Sequence, residues 1–269
     1  MPFEIHEQNG LTWLRSPILP PRHGFSTRLG GVSPAPWDSL NLRPGMGDGL
    51  EALQENYRRF CGAAGLDPAR SVLAKQVHET TVRVCTEADA GKGLLRERDY
   101  TADALISDVP GLTLFVFSAD CGTVLLYDPE TGAAGAVHSG WRGCAAGIVA
   151  KAVRELHRVY GAKPEDLRAA LGPCIGRCCF ETDGDVPEAM EKALGAAAGA
   201  YLERRGAKWQ VDLLGLNRQW LLESGLNTEH IDACELCTAC HPELFWSHRK
   251  MGEARGVQCG AVQAGRMKD

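Results

Sequence analysis

The 269-residue chain predicts a layered α/β fold, with mixed sheets flanked by helices. Two observations carry this expectation. Short apolar runs such as LTLFVF (112–117) and TVLLY (123–127) suit strands buried on both faces. Between such runs lie stretches whose apolar residues recur at helical spacing, and strands mixed with helices along one chain give layered folds.

The elements follow in order. Residues 51–64 place Leu53, Tyr57, Phe60, Cys61 and Ala64 on one helical face. Strands are expected at 71–76, 81–85, 104–106, 112–118, 123–127 and 133–138. A helix at 145–160 lines up Ile148, Val149, Ala152, Val153 and Leu156, with Gly161 as its stop. A strand at 168–171 precedes two helices rich in Ala and Leu, 187–198 and 213–223, the second ended by Gly225. A last strand is expected at 258–263. The Gly/Pro-rich stretch 30–49 holds Trp37, Leu40 and Leu42, so it reads as an ordered loop rather than a tether. The whole chain, 1–269, reads as a single domain.

Composition narrows the function classes. Hydrophobic residues at 44% and charged residues at 23% exclude a disordered chain. A net charge of −5 gives no footprint for nucleic acid or an anionic membrane. No run approaches the ~18–20 apolar residues that span a bilayer. The start, MPFEIHEQNG, has no basic-then-apolar signal, and 11 cysteines cannot all pair internally. Reduced thiols in the cytoplasm are the expectation.

Three segments place reactive side chains at the ends of buried strands, where layered folds assemble their sites. They are Lys75-Gln76-Val77-His78, Ser118-Ala119-Asp120-Cys121-Gly122 and Val137-His138-Ser139-Gly140-Trp141-Arg142-Gly143. In the third, Gly140 and Gly143 permit a sharp turn, and Arg142 with the following helix N-terminus suits an anion. Equally, the corner reads as a plain junction plugged by Trp141. Cys121 lies in a tight turn and reads as a thiolate nucleophile, a metal ligand or a small buried hydrophobe. His78 alone reads as an ordinary hydrogen-bonded histidine. Together, two imidazoles and one thiolate suit zinc, with a fourth position open for water or substrate.

Other thiols compete. Cys234-x-x-Cys237-x-x-Cys240-His241 has the look of a metal knuckle, but no second pair at typical spacing stands elsewhere to complete a tetrahedron. Cys174, Cys178 and Cys179 sit in LGPCIGRCCF, a turn that can line a pocket, and the vicinal pair reads as two free thiols.

The segments HGFSTRLGGVS (23–33), SLNL (39–42), KQVH (75–78), DALIS (103–107), SADC (118–121), HSGWRG (138–143), LGPCIGRCCFE (171–181) and CTAC…FWSHR (237–249) closely resemble the laccase-domain family. That family is also described as multicopper polyphenol oxidoreductases, as purine nucleoside phosphorylase and adenosine deaminase enzymes, and as peptidoglycan editing factors. The resemblance implies a cytotoxic necrotizing factor-like fold and a zinc site made by His78, Cys121 and His138, which are also the catalytic residues. The sequence departs from the family at Glu79, at Gly122-Thr123, at Ser247-His248-Arg249-Lys250 and at Ala254-Arg255. These departures bear on substrate range, since the metal triad is intact.

The resemblance thus implies a zinc-dependent enzyme of adenosine, inosine, guanosine and methylthioadenosine phosphorolysis. It would release base and ribose 1-phosphate, with adenosine deamination beside it. Its partners would be purine nucleosides and phosphate, with no nucleic acid and no membrane. Arg142 and Arg28 are the expected phosphate holders, and Asn41, Asp120 and Ser118 the expected contacts to ribose or base. Three rivals stand beside this. One is a metal-free amidase acting on peptidoglycan precursors, with Cys121 as nucleophile and His138 as base. Another is copper-dependent phenol oxidation, chemically poor for a chain with eight histidines and no His-x-His pair. The last is a thiol-rich metal buffer.

Overall fold

A computed structural model describes residues 3–266. Its first six-stranded sheet runs, in spatial order, Glu4–Gln8, Leu11–Arg15, His23–Ser26, Gln258–Gln263, Thr113–Ser118 and Ser71–Leu73. The second runs Ile231–Ala233, Arg168–Leu171, Gly122–Tyr127, Ala134–Ser139, Ala104–Ser107 and Val82–Val84. Both sheets mix parallel and antiparallel pairs. A small third sheet joins Glu181–Thr182, Lys208–Val211 and Leu202–Arg205.

The alternation of side chains along each strand explains the layering. Leu114 and Val116 face Leu125, Tyr127 and Ala136 between the sheets. The intervening Phe115 and Phe117 face outward, against Tyr57 and Phe60 of the Leu50–Ala64 helix. Val124 and Leu126 likewise turn to the opposite side, where Val149, Val153 and Leu156 of the Ile148–Tyr160 helix cover them. Both faces of both central strands are therefore apolar, as their sequences predict.

Thr113–Ser118 and Gly122–Tyr127 are consecutive in sequence but belong to different sheets. The corner between them carries Asp120 and Cys121. The expected strand at 71–76 stops at Leu73, and the Gln76 side chain completes its role. That amide donates to the Phe117 carbonyl and accepts the Phe117 N–H, both at 2.7 Å. The expected 145–160 helix is two helices, Trp141–Ala145 and Ile148–Tyr160, broken at Gly147 with φ +71°. The expected 187–198 helix is Asp185–Leu194, tightening into 3-10 turns over Gly195–Tyr201. No helix among the described residues is long and apolar enough to cross a membrane.

His23, the first residue of the HGFSTR segment, is a structural histidine. Ser16 N–H donates to its Nε2 at 3.1 Å, and its Nδ1–H donates to the Pro21 carbonyl at 2.7 Å. Burial drives its pKa down to about 4, so it folds neutral. An unfolded histidine takes up a proton below about 6.5. Stability from this site is therefore whole above that pH and drains away as pH falls toward about 4, by about 3 kcal/mol. Urea unfolding at several pH values should show this acid loss in the native chain and a shallower one in His23→Gln.

Candidate active site

Asp103 organises the site. It is buried just before the Ala104–Ser107 strand, and its carboxylate accepts three successive backbone N–H groups. These come from Val77 at 3.1 Å, His78 at 3.0 Å and Glu79 at 3.0 Å. The wrapped turn holds His78 at φ +62°. Asp103 Oδ1 also accepts Nδ1–H of His138 at 2.9 Å, and the Asp103 carbonyl accepts the His138 N–H at 2.7 Å. Burial alone would raise its pKa, but the His138 bond and the N–H donors outweigh that and hold the carboxyl below its ordinary value.

With Nδ1 occupied, His138 offers Nε2. The His78 and His138 rings meet edge to face with centroids 4.9 Å apart. Cys121 Sγ lies 3.9 Å from His78 Nε2. Donor atoms of His78, Cys121 and His138 all fall within 4.8 Å of one another. Tetrahedral zinc asks for neighbouring donors about 3.3–3.8 Å apart, so the set fits after a small contraction. The carboxylate behind His138 is the usual way such a ligand is oriented. Gly140 leaves the room: a Cβ there would stand 2.9 Å from Cys121 Sγ and 3.3 Å from the His78 ring. Burial pushes the Cys121 thiol up, but the His138 charge and bonds from both histidines bring it down to about 6. A thiol of that acidity is a thiolate near neutrality, the state a ligand or a nucleophile needs.

Asp120 lies at φ +84° and spends both carboxylate oxygens on the fold. Oδ1 accepts the Thr238 hydroxyl at 2.6 Å, and Oδ2 accepts the Arg249 backbone N–H at 2.7 Å. It thereby ties the Cys121 corner to the Thr238 loop and to the short His248–Met251 helix. His78, Asp120 and Cys121 form the floor of a cavity of about 350 Å³. Trp141, Ile175, Phe180 and Leu213 make its apolar wall, and His248, Arg249, Glu253 and Arg255 its polar one. The Arg255 Nε is buried without a hydrogen-bond partner, and burial lowers the pKa of that guanidinium. The nearby Arg43 is lowered too, first by burial and then by the charges of Arg98 and Arg255. Of the arginines, Arg249 and Arg255 line the cavity, a pair able to meet an anion.

The structure brings together His78, Asp120, Cys121 and, beneath them, His138. It places the other expected substrate contacts elsewhere, outside the lining of this cavity. Arg28 donates to the Pro242 and Asp38 carbonyls and lies 4.1 Å over the Trp246 ring. Asn41 is fully buried, donating to Asp48 and accepting the Val257 N–H. Ser118 is buried with its hydroxyl unpartnered. Arg142 is exposed, stacked 4.3 Å from its neighbour Trp141. The residues that sequence reasoning missed are Asp103, Arg249 and Arg255. Each stands in a segment singled out above, DALIS or the C-terminal arginine stretch, but no local pattern says what it faces.

A family model described as multi-copper polyphenol oxidoreductase laccase matches residues 22–265. The purine nucleoside phosphorylase YlmD of Geobacillus stearothermophilus is 32% identical over 256 residues, covering 92% of each chain. The purine nucleoside phosphorylase YfiH of Escherichia coli is 37% identical over 225 residues, 84% of this chain and 86% of its own. The crystal structure of YlmD from Geobacillus stearothermophilus aligns with a TM-score of 0.91 at 30% identity, over 98% of this chain and 99% of that one. The Bacillus licheniformis protein YfiH aligns equally well, at 29% identity. With one fold throughout and a match across nearly its whole length, this chain belongs to the multi-copper polyphenol oxidoreductase laccase family.

Proposed function

We propose that the chain is a zinc-dependent purine nucleoside phosphorylase whose metal is held by His78, Cys121 and His138. The carrying observation is the His/Cys/His set, oriented by Asp103, at the floor of a cavity whose wall carries Trp141, Phe180, Arg249 and Arg255. The relatives named purine nucleoside phosphorylase support the same reading. A multicopper assignment fits poorly: among the described residues, the only donor groups are this set and four clustered cysteines.

In the reaction, the glycosidic C1′–N9 bond breaks and its electrons leave with the base. A phosphate oxygen forms the new bond to C1′, giving ribose 1-phosphate. Trp141 and Phe180 offer flat apolar surface to the purine. Arg255, assisted by Arg249, holds the phosphate in place of the Arg142 and Arg28 first expected. When bound, the metal supplies positive charge and Lewis acidity at the cavity floor. Adenosine deamination at the same site is part of this proposal.

Adenosine, inosine, guanosine and methylthioadenosine, each with and without phosphate, would be incubated with the protein and the products separated by chromatography. Phosphate-dependent release of free base is the expected result. No base from any of them would overturn the reading. Arg255→Met should raise the KM for phosphate by about 10- to 100-fold, a lost charged hydrogen bond, with the nucleoside KM little changed.

A second reading has its own observation. Cys121, His138 and Asp103 stand in the order nucleophile, base and orienting carboxylate. That suits an amidase acting on peptidoglycan precursors. It leaves His78 without a task, and it predicts activity that survives chelators and dies with thiol alkylation.

A further inference from the structure

We propose that Cys178, Cys179, Cys237 and Cys240 form a second metal centre, a tetrathiolate site for a soft divalent cation of the zinc type. The 234–241 run contributes one pair, Cys237 and Cys240, and the fold supplies the other. Cys240 Sγ lies 3.4 Å from both Cys178 Sγ and Cys179 Sγ. All four sulfurs fall within 4.8 Å of one another, and all are free thiols. Four sulfurs around zinc stand about 3.8 Å apart, so the set is close to that shape already.

The backbone explains why they converge. Cys174 and Cys237 form an isolated parallel bridge, and the Thr238 N–H donates to the Cys174 carbonyl at 3.0 Å. From that bridge each loop turns back sharply. Cys179 and Phe180 donate to the Gly176 carbonyl, and Cys240 and His241 donate to that of Cys237. Gly176 also donates its N–H to Cys237 Sγ at 3.2 Å, a bond that stabilises a thiolate. A Cβ at Gly176 would lie 3.1 Å from Cys237 Cβ and 3.3 Å from Cys178 Sγ, so a side chain there would crowd the cluster. The two other candidates in the run drop out. Cys234 is buried in the core between the sheets, and His241 is paired with Glu243 at 3.1 Å.

An all-sulfur donor set selects zinc-like ions over magnesium or calcium. Four protein ligands leave no open position, which marks a structural rather than a catalytic centre. Each ligating thiol gives its proton to solvent, so binding strengthens as pH rises. The ion would clamp a loop that lines the active cavity to a second loop that holds Asp120 at its floor. Ile175 and Phe180, on either side of the vicinal pair, line that cavity. The Cys179 carbonyl accepts from Arg249 at 2.8 Å, and Thr238 binds Asp120 beside Cys121. The four cysteines are thus positioning residues for the cavity wall.

The test uses metal-stripped Cys121→Ala protein, in which the first site has lost its sulfur, so the outcome is independent of the proposed activity. Titration with cobalt(II) should give one tightly bound ion with tetrahedral visible bands and thiolate-to-cobalt charge transfer, displaced by zinc. Adding Cys240→Ser, at an exposed position, should weaken binding at least about tenfold and reduce the charge-transfer band. Circular dichroism would confirm that both variants are folded. Cobalt binding without charge transfer, or none, would overturn the proposal. So would a thiol titration of the freshly purified, denatured protein that falls short of its cysteine count, since the loops would then be joined by a disulfide instead.

Discussion

Cys121→Ala is expected to lower kcat/KM for the proposed phosphorolysis by at least about a thousandfold, because the proposed three-ligand metal site would lose its only anionic donor. The remaining pair, His78 and His138, offers two neutral imidazoles, and two such ligands hold zinc weakly. The loss should fall on kcat as well as on binding, since the floor of the cavity is where charge must be met. Folding should survive, because the corner is held by the Asp120 carboxylate and the Ile175 N–H rather than by the thiol. Zinc content and steady-state kinetics on the same preparation would check both parts. Undiminished base release by a well-folded Cys121→Ala protein would remove Cys121 from the reaction and overturn both the metal and the nucleophile readings.

Asp103→Asn should be the most damaging near-isosteric change in the site. The carboxylate accepts from Val77, His78, Glu79 and His138, with two donors on each oxygen. An asparagine keeps one acceptor oxygen and turns an NH₂ toward the other two donors. Two donors left unmatched at these partly buried positions cost about 2 kcal/mol together. The same change frees the His138 ring, and loss of such a carboxylate weakens metal binding by about 10- to 100-fold. Urea unfolding would measure the first effect, and competition with a zinc chelator the second. A variant as stable as the native chain, with native zinc affinity, would show that Asp103 does not organise the histidines.

How much of this was legible beforehand follows from where each signal is stored. The strands Thr113–Ser118 and Gly122–Tyr127 were readable because both of their faces are buried, which leaves unbroken apolar runs. The first three strands were not. Glu4–Gln8 is an edge strand of mostly exposed polar residues, and His23–Ser26 is short, held by pairing with Gln258–Gln263 from the other end of the chain. Pairing of that kind leaves no local pattern.

The site divides in the same way. His78, Cys121 and His138 stood out in the sequence because each ends a predicted strand or its turn, where the chain emerges from the core with its side chain free for chemistry. The partners that make them a site did not. Asp103 gathers N–H groups from a turn some 25 residues earlier and a histidine 35 residues later, and only the packed sheets set those distances. Arg28, expected to hold phosphate, and Asn41, expected to contact ribose or base, bond to parts of the fold far away in sequence, the Pro242 carbonyl and the Val257 N–H. Arg255, by contrast, was brought to the cavity with its Nε unsatisfied. Cys178 and Cys240 stand 62 residues apart and meet through one backbone bridge. What the amino-acid order determined alone was the layered fold class and the identity of the reactive side chains, both written in local hydrophobic pattern and residue chemistry. Which of those side chains share a site was decided by long-range strand pairing and by buried carboxylates seeking donors, interactions that exist only once the chain has closed on itself.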